Sequence, residues 1–284
     1  MISLKNIIKK YKHRIILEKI NLEINPGEVI GIIGGNGSGK STILKIISGL
    51  TYVDSGEVII LKKQLKRGFT GKTPQKMGVL IESPSFLPNY TGLRNLLLLA
   101  SIQNKIDKEY IVKIMEKVGL DPNDKRVVRH YSQGMKQRLA IAQAIMEKPK
   151  ILLLDEPTNG LDKNGVEMLK SVVMEQKKKS VAIVLVSHLQ SDIDELCDRV
   201  YLLKEGTLHH YQTEKEWYVV VETLSDLERL SEFFPHLKIG ERYQGLPTGR
   251  ITGSWEDAQK LEKTLSENNI SFVEVREDML NVTV

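Results

Sequence analysis

The stretch Gly34-Gly35-Asn36-Gly37-Ser38-Gly39-Lys40-Ser41 decides the fold. It satisfies the pattern G-x-x-x-x-G-K-[ST], and it stands between a short apolar run, Val29–Ile33, and a helix-like run, Lys40–Ser48. Glycines let the backbone curl so that successive N–H groups point inward, and the helix N-terminus adds positive dipole. The stretch therefore predicts a phosphate-binding loop between a buried strand and a helix.

Each residue type in this loop suits a nucleoside triphosphate. The lysine reaches the β- and γ-phosphates, and the last hydroxyl holds Mg²⁺. The alternative, a structural glycine turn, does not explain the strand before the loop and the helix after it. The residues expected to contact ATP are Gly34, Gly35, Asn36, Gly37, Ser38, Gly39, Lys40, Ser41 and Thr42, with Ser41 also a metal ligand.

A second acidic element follows the apolar run Ile151–Leu154, which ends in Asp155 and Glu156. We expect this run to be a strand buried beside the phosphate-loop strand, with Asp155 at its carboxyl end binding Mg²⁺ directly or through water. Glu156 would orient and partly deprotonate the attacking water as general base. Surface turns often carry such acid pairs, so this element gains its meaning from the loop upstream.

Composition sets limits on the function. The chain has 284 residues and a net charge of +5, which scattered lysines on helix faces explain more simply than a nucleic-acid partner. Its apolar runs fall far below the roughly 18 residues that cross a bilayer, and its first residues do not resemble a signal peptide. The single cysteine, Cys197, excludes an intrachain disulfide and fits a reducing cytosol.

The order of patterns predicts two domains. Residues 1–211 carry two β-rich runs at the start, mainly helical spacing at about 91–147, and further strand-like runs, which together indicate a parallel α/β sheet with a helical insertion. Residues 212–284 predict a small α+β domain whose order is compatible with a split βαβ unit. Its predicted elements are Trp217–Glu222, Ser225–Phe234, Arg250–Gly253, Glu256–Glu267, Ile270–Val275 and Met279–Val284.

The segment Tyr131–Arg138, which reads Y-S-Q-G-M-K-Q-R, makes the first domain resemble an ABC-type ATP-binding cassette. It is similar to the ABC signature, whose usual core is L-S-G-G-Q and which contacts the γ-phosphate bound by the opposite subunit. Ser132 and Gly134 keep the hydroxyl donor and the unobstructed backbone at a helix N-terminus, whereas Gln133 and Met135 depart from the usual residues. Alone, the segment would read as an ordinary capped helix start.

Three further matches follow from the resemblance. Tyr11 occupies the position of the aromatic residue that stacks on adenine, and the simpler alternative is a tyrosine that ends an edge strand. Asn159–Asp162 resembles the D-loop that crosses the dimer interface, which places Asp162 near the nucleotide. His188 resembles the switch histidine that hydrogen-bonds the γ-phosphate and assists Glu156, although a histidine at a strand end is usually a polar cap.

The resemblance implies a P-loop cassette with an antiparallel β-subdomain and a helical subdomain. One departure stands at Glu82, where most members have a glutamine in the loop that responds to the permease. A glutamate can still contact Mg²⁺ or its water, but it adds negative charge and lacks the amide donor. With glutamate in this loop, the chain resembles the ATPases of bacterial lantibiotic and bacitracin self-protection exporters.

The resemblance also implies partners. Two cassettes, expected to be identical, would enclose two ATP molecules head to tail and drive a separate integral membrane permease from its cytoplasmic face, powering export of a peptide antibiotic or other small amphiphile. The leucine-rich helix Leu93–Gln103 could contact the permease, or it could be core with a groove beside it.

Two other functions stay open from the sequence. A soluble ABC protein acting on ribosomes or DNA would usually carry two cassettes or a long coiled coil, whereas this chain has one cassette and about 90 residues between loop and signature. A regulatory nucleotide binder without turnover is the third reading, because the signature is altered. The second domain could regulate the ATPase or stabilise the dimer.

Overall fold

The computed structural model describes residues 1–12, 14–65, 76–82, 85–103, 106–187, 196–211, 215–240, 242–253, 261 and 263–276. The chain divides into two compact units, Met1–Tyr211 and Gln212–Val284. The strands of the first unit are β1 (Ile2–Tyr11), β2 (Arg14–Ile24), β3 (Val29–Ile33), β4 (Ser55–Ile60), β5 (Lys63–Gln64), β6 (Met77–Leu80), β7 (Ile151–Asp155), β8 (Ala182–Val186), β9 (Arg199–Lys204) and β10 (Thr207–Tyr211).

An antiparallel sheet in the order β2-β1-β4-β5 forms one layer of the first unit. Its strands alternate between buried and exposed positions because only one face meets the core. Ile2, Leu4 and Ile7 of β1 are buried against helix α1 (Lys40–Ile47) and the second sheet. This sheet confirms the expected antiparallel β-subdomain.

The second sheet has six strands in the order β10-β9-β3-β8-β7-β6. Strands β9, β3, β8, β7 and β6 run parallel, and β10 adds an antiparallel edge. Strands β3 and β8 are buried at every position, as expected for parallel strands covered on both faces. The prediction that β7 lies beside β3 is wrong, because β8 lies between them. Sequence order does not determine which parallel strands become neighbours.

Helices pack on this sheet and form the helical insertion. The insertion holds α2 (Gly92–Gln103), α3 (Lys108–Lys117), a 3₁₀ turn (Val128–His130) and α4 (Gln133–Met146), and α5 (Lys163–Lys178) follows β7. Side-chain caps begin three of them: Asp107 for α3, Ser132 for α4 and Asp162 for α5 each accept a backbone N–H. In the described ranges no helix is long and apolar enough to cross a membrane.

The described part of the second unit forms a four-stranded antiparallel sheet whose core is covered by helical segments. Its strands are β11 (Lys215–Val221), β12 (Lys238–Ile239), β13 (Thr248–Gly253) and β14 (Phe272–Arg276), in the order β12-β13-β11-β14. Helix α6 (Leu224–Phe233) packs Leu227 and Leu230 against Val219 and Val221. This strand order is that of the split βαβ fold.

The patterns predicted most elements of the second unit within a few residues. Residues 261 and 263–267 are helical, and the rest of the predicted helix 256–267 and the predicted strand 279–284 lie outside the described residues. The sequence did not predict β4, β5, β6, β10 or β12 as strands. Three of these, β5, β6 and β12, have four residues or fewer, too short for alternation to stand out.

Candidate nucleotide site

The glycine-rich loop connects β3 to α1, as predicted. Gly39 caps α1 with φ 111°, a backbone conformation that L side chains rarely adopt. A Cβ on Gly34 would stand 2.6 Å from the Leu203 carbonyl oxygen, which is closer than atoms can approach. Both positions therefore need glycine for the loop to take this shape.

The interior of the loop is polar. Lys40 is 7% exposed, and its Nζ donates to the carbonyl oxygens of Gly34 at 2.7 Å and Gly35 at 3.1 Å. Ser38 Oγ is buried and, among the described residues, has no hydrogen-bond partner. A buried ammonium and a buried hydroxyl without a partner at a helix N-terminus fit an anion with several oxygen atoms.

The structure brings Ser41, in the first turn of α1, close to Asp155 at the end of β7, although β8 separates β7 from the strand β3 that precedes the loop. The Ser41 hydroxyl lies near enough to the Asp155 carboxylate, at the carboxyl end of β7, to favour its charged form. Burial raises the pKa of Asp155, and the negative charge of Glu156 acts in the same direction, while the nearby Ser41 hydroxyl and the charge of Lys40 oppose the shift. A half-buried carboxylate beside a hydroxyl is an oxygen-ligand pair that fits Mg²⁺.

Glu156 follows with an unusual backbone. Its φ is 47°, in the left-handed region that a residue with a Cβ seldom occupies. Its N–H donates to the Val186 carbonyl at 2.8 Å, which ties it to the end of β8, and its own carbonyl accepts from the Asn159 N–H at 3.2 Å. The turn thus directs the chain out of the sheet directly after Asp155.

The predicted signature lies at the N-terminus of α4. Ser132 is its N-cap, and Ser132 Oγ accepts the Met135 N–H at 3.2 Å. Because a serine hydroxyl also carries one O–H donor, the cap leaves that donor for an anion. Ser132 is exposed, and a Cβ on Gly134 would meet the Gly160 carbonyl oxygen at 2.8 Å, so glycine permits a close approach of backbones here.

Asp162 begins α5 rather than standing alone in a loop. Its Oδ1 accepts both the Gly165 N–H at 2.9 Å and the Arg138 Nη2 at 2.9 Å. The Gly165 N–H and the Arg138 guanidinium lower the pKa of Asp162, so the carboxylate is charged at neutral pH. A helix cap accounts for these contacts, and a role at the nucleotide stays a prediction.

Tyr11 ends an interior strand, because β1 lies between β2 and β4. The alternative of a tyrosine ending an edge strand is therefore wrong. Its ring is 46% exposed, and Lys9 Nζ stands 4.9 Å from the ring centroid and 4.3 Å from that of Tyr52. An exposed aromatic face is available for stacking.

Glu82 forms an ion pair that the sequence did not predict. Its Oε1 lies 2.6 Å from Lys45 Nζ, with φ 60° at Glu82. The hydrogen bond from Lys45 lowers the pKa of Glu82, and the same bond raises the pKa of Lys45. The expected metal ligand therefore has a cation as its partner in this structure.

A groove of about 530 Å³ opens beside this ion pair, between the α/β core and the helical insertion. Lys45 and Glu82 lie in its wall with apolar side chains from α2 and the loop before it. Leu96 and Ala100 of α2 are buried, whereas Leu98 is 41% and Ile102 78% exposed. Helix α2 thus contributes to the core with one face and to the groove with the other.

One predicted site residue, His188, lies outside the described residues. Two residues of the signature segment were missed as contacts of the site, Gln137 and Arg138. Gln137 Nε2 donates to the Pro157 carbonyl at 2.9 Å, and Arg138 binds Asp162. Their polarity at the start of an otherwise apolar helix was the available signal, but the partners lie about 20 residues away in sequence.

A glycine-rich loop that opens a helix, an acid pair at a parallel strand end and a capped signature helix define a P-loop ATPase of the cassette type. The ABC transporter family matches residues 17–159. The chain is 38% identical over 209 residues to the uncharacterized ABC transporter ATP-binding protein YdbJ of Bacillus subtilis, covering 73% of this chain and 68% of that protein. The chain therefore belongs to the ABC transporter family of ATP-binding proteins.

Other relatives and solved structures support the same family assignment. The chain is 36% identical to the lantibiotic transport ATP-binding protein SrtF of Streptococcus pyogenes, covering 73% of this chain and 89% of that one. It is 36% identical to the bacitracin transport ATP-binding protein BcrA of Enterococcus faecalis, covering 73% and 68%. The dimeric structure of MJ0796, a bacterial ABC transporter cassette, matches with a TM-score of 0.65 at 27% identity, covering 74% of this chain and 97% of that one.

These similarities confirm the predicted fold class and activity. A similar structure of the MJ0796 cassette is a post-hydrolysis state bound to ADP and Pi, with a TM-score of 0.65 and 27% identity over 74% of this chain and 98% of that one. The chain is an ATP-binding, ATP-hydrolysing subunit that powers transport. Action on ribosomes or DNA has no support among these relatives.

Proposed function

We propose that two copies of this chain pair head to tail and enclose two ATP molecules. Each ATP is held by the P-loop of one copy and by Ser132 and Gly134 of the other. The exposed N-terminus of α4, with a hydroxyl donor and a glycine, supports this pairing because it is built to face an anion. The similarity to a dimeric cassette supports it further.

The observation that carries the proposal is the approach of the Ser41 hydroxyl to the Asp155 carboxylate, which brings the phosphate loop and the acidic strand end into one site. Ser41 and Asp155 would hold Mg²⁺, with Lys40 and the loop N–H groups around the phosphates. The metal, when bound, neutralises charge that develops on the β- and γ-phosphate oxygens.

Glu156 is the proposed general base. It lies next to Asp155, at the edge of the sheet where ligands of parallel α/β folds bind. Its carboxylate would accept a proton from the attacking water, and His188 would help to hold that water and the γ-phosphate. Around them, Tyr11 would stack on adenine, Asp162 would lie at the interface between copies, and Glu82 would contact Mg²⁺ or its water.

The partner of the pair is an integral membrane permease on whose cytoplasmic face the cassettes work. The groove beside α2 supports this, because Ile102, Leu98 and Leu87 are large apolar side chains left exposed in its wall. The same wall contains Glu82, so a segment seated there would contact the ATP site through one loop.

The transported compound is proposed to be a peptide antibiotic or another small amphiphile, moved outward. The similarity to ATP-binding proteins of lantibiotic and bacitracin transport supports this choice. The glutamate at position 82 supports it as well, since the sequence resembles those exporters at this loop.

Co-expression with a candidate permease tests the partner. We expect the wild-type chain to copurify with the permease and Ile102→Glu not to, because a charge in the groove opposes apolar docking. Ile239→Glu is the matched control: it places the same substitution at an isoleucine of the second unit that is 62% exposed. Copurification that is unaffected by Ile102→Glu, or ATPase activity stimulated by nucleic acid instead of the permease, would contradict the proposal.

A further inference from the structure

The backbone at Glu156 needs support from outside its own strand. A left-handed φ of 47° is unfavourable for a glutamate, and such conformations persist only where surrounding contacts impose them. The hydrogen bond from the Glu156 N–H to Val186 fixes one side of the peptide. The Glu156 carbonyl accepts the Asn159 N–H within the turn and is bound in addition by a different element.

That element is helix α4, through the side-chain amide of Gln137. Its Nε2 donates to the Pro157 carbonyl at 2.9 Å and to the Glu156 carbonyl at 3.4 Å. A glutamine amide carries two N–H donors, which suits two successive carbonyl groups. Gln137 is half-buried, so water competes poorly for these carbonyls.

The same helix binds the rest of the turn. A Cβ on Gly160 would lie 2.7 Å from Gln133 Cγ, so the backbone of the turn sits directly against the first residue of α4. Farther along, Arg138 Nη2 binds Asp162, and Arg138 Nη1 donates to the Val118 carbonyl at 3.0 Å after α3. Segment 156–162 and α4 are therefore joined at several points.

We propose that Gln137 is a positioning residue for hydrolysis: its amide holds the turn after Asp155 so that the Glu156 carboxylate points at the attacking water. The inference rests on the proposed role of Glu156 as general base. Gln137 exerts its effect through two backbone carbonyls and touches no reacting atom. Losing it relaxes the Glu156 turn and misdirects the base without removing a phosphate ligand.

Steady-state ATPase kinetics of Gln137→Leu test this proposal. We expect kcat to fall about tenfold or more, because small misplacements of a catalytic group are costly, while KM for ATP stays within about twofold. Gln137→Glu keeps the shape of the side chain but replaces its N–H donor by an acceptor. It should show the same fall in kcat with little change in KM, and it provides the test if Gln137→Leu does not fold. Gln64→Leu, at an exposed glutamine of β5, is the matched control and should leave kcat unchanged.

Combination with Glu156→Gln separates the two claims. In that background, Gln137→Leu should not lower the residual single-turnover rate further, because the group it positions is gone. If Glu156→Gln stops turnover but the Gln137 variants keep wild-type kcat, or if Gln137→Leu slows both backgrounds equally, the positioning role is overturned. If Glu156→Gln itself turns over normally, the general-base assignment fails instead.

Discussion

Lys45 Nζ and Glu82 Oε1 lie 2.6 Å apart, joining helix α1 of the phosphate loop to the loop after β6. This chain resembles the ABC cassettes, most of which have a glutamine at the position of Glu82. A neutral glutamine amide would not attract the lysine ammonium in this way. The ion pair therefore binds the carboxylate that we propose as a contact of Mg²⁺ or its water. Under that proposal, Lys45 and the metal would compete for the Glu82 carboxylate.

This competition predicts opposite effects of two substitutions on the Mg²⁺ dependence of ATPase activity. Lys45→Met should lower the Mg²⁺ concentration at half-maximal activity, because Glu82 is released toward the site. Glu82→Gln should raise it, because the carboxylate is lost. A Mg²⁺ titration at fixed ATP measures both, with Lys113→Met, an exposed lysine of α3, as control. Equal values in all four proteins would show that Glu82 does not contact the metal.

The raised pKa of Asp155 predicts how stability changes with pH in the absence of nucleotide. A carboxyl group whose folded pKa lies above its unfolded value binds protons more readily when folded, so stability is lost as pH rises from the unfolded pKa through the folded one. Asp155→Asn removes this loss. In EDTA at pH 7 the variant should unfold at a higher temperature than the wild type.

The difference in unfolding temperature between Asp155→Asn and the wild type should narrow as pH falls toward about 4, where aspartates become protonated. Thermal unfolding at several pH values measures it. A difference in unfolding temperature that is independent of pH, or a variant that is less stable than the wild type at pH 7, would mean that burial does not dominate the pKa of Asp155. Mg-ATP should stabilise the wild type more than the variant, because Asp155 is a proposed metal ligand.

Gly134→Ala should separate signature function from folding. The added methyl would stand 2.8 Å from the Gly160 carbonyl oxygen, so the start of α4 and the turn must move apart. We expect ATPase activity to fall about tenfold or more, while fluorescent ATP still binds to the P-loop of the single chain. Gly240→Ala, where a Cβ would meet its nearest atom at 3.5 Å in the second unit, is the control. Unchanged turnover in Gly134→Ala would contradict the proposed role of this helix end.

The sequence predicted the parts of the site whose signal is local. The loop from Gly34 to Ser41, the acid pair at the end of β7 and the Ser132 cap each have a pattern that fixes the backbone around it, and those elements lie where expected. What depends on tertiary packing was missed. Lys45 and Glu82 are far apart in sequence, and nothing in either residue's surroundings marks the other as its partner.

The order of the parallel strands in the sheet also depends on tertiary packing, so the sequence did not predict it. The apolar runs predicted β3, β7 and β8 as buried strands, but any of them could occupy the middle, so the expected neighbourhood of β3 and β7 was wrong. Gln137 illustrates the point within the site, because its contact with Glu156 joins a helix to a turn 19 residues away. Side-chain amides carry no sequence signal for the carbonyl they will bind.

The most direct test of the ATP-enclosing pair is the assembly state of Glu156→Gln. With the base replaced by an amide, ATP should bind between two copies and persist, so light scattering should find a pair when ATP and Mg²⁺ are present and a single chain when they are absent. Steady-state turnover should be blocked. A variant that hydrolyses ATP at the wild-type rate, or that stays single at saturating ATP, would contradict the proposed pair.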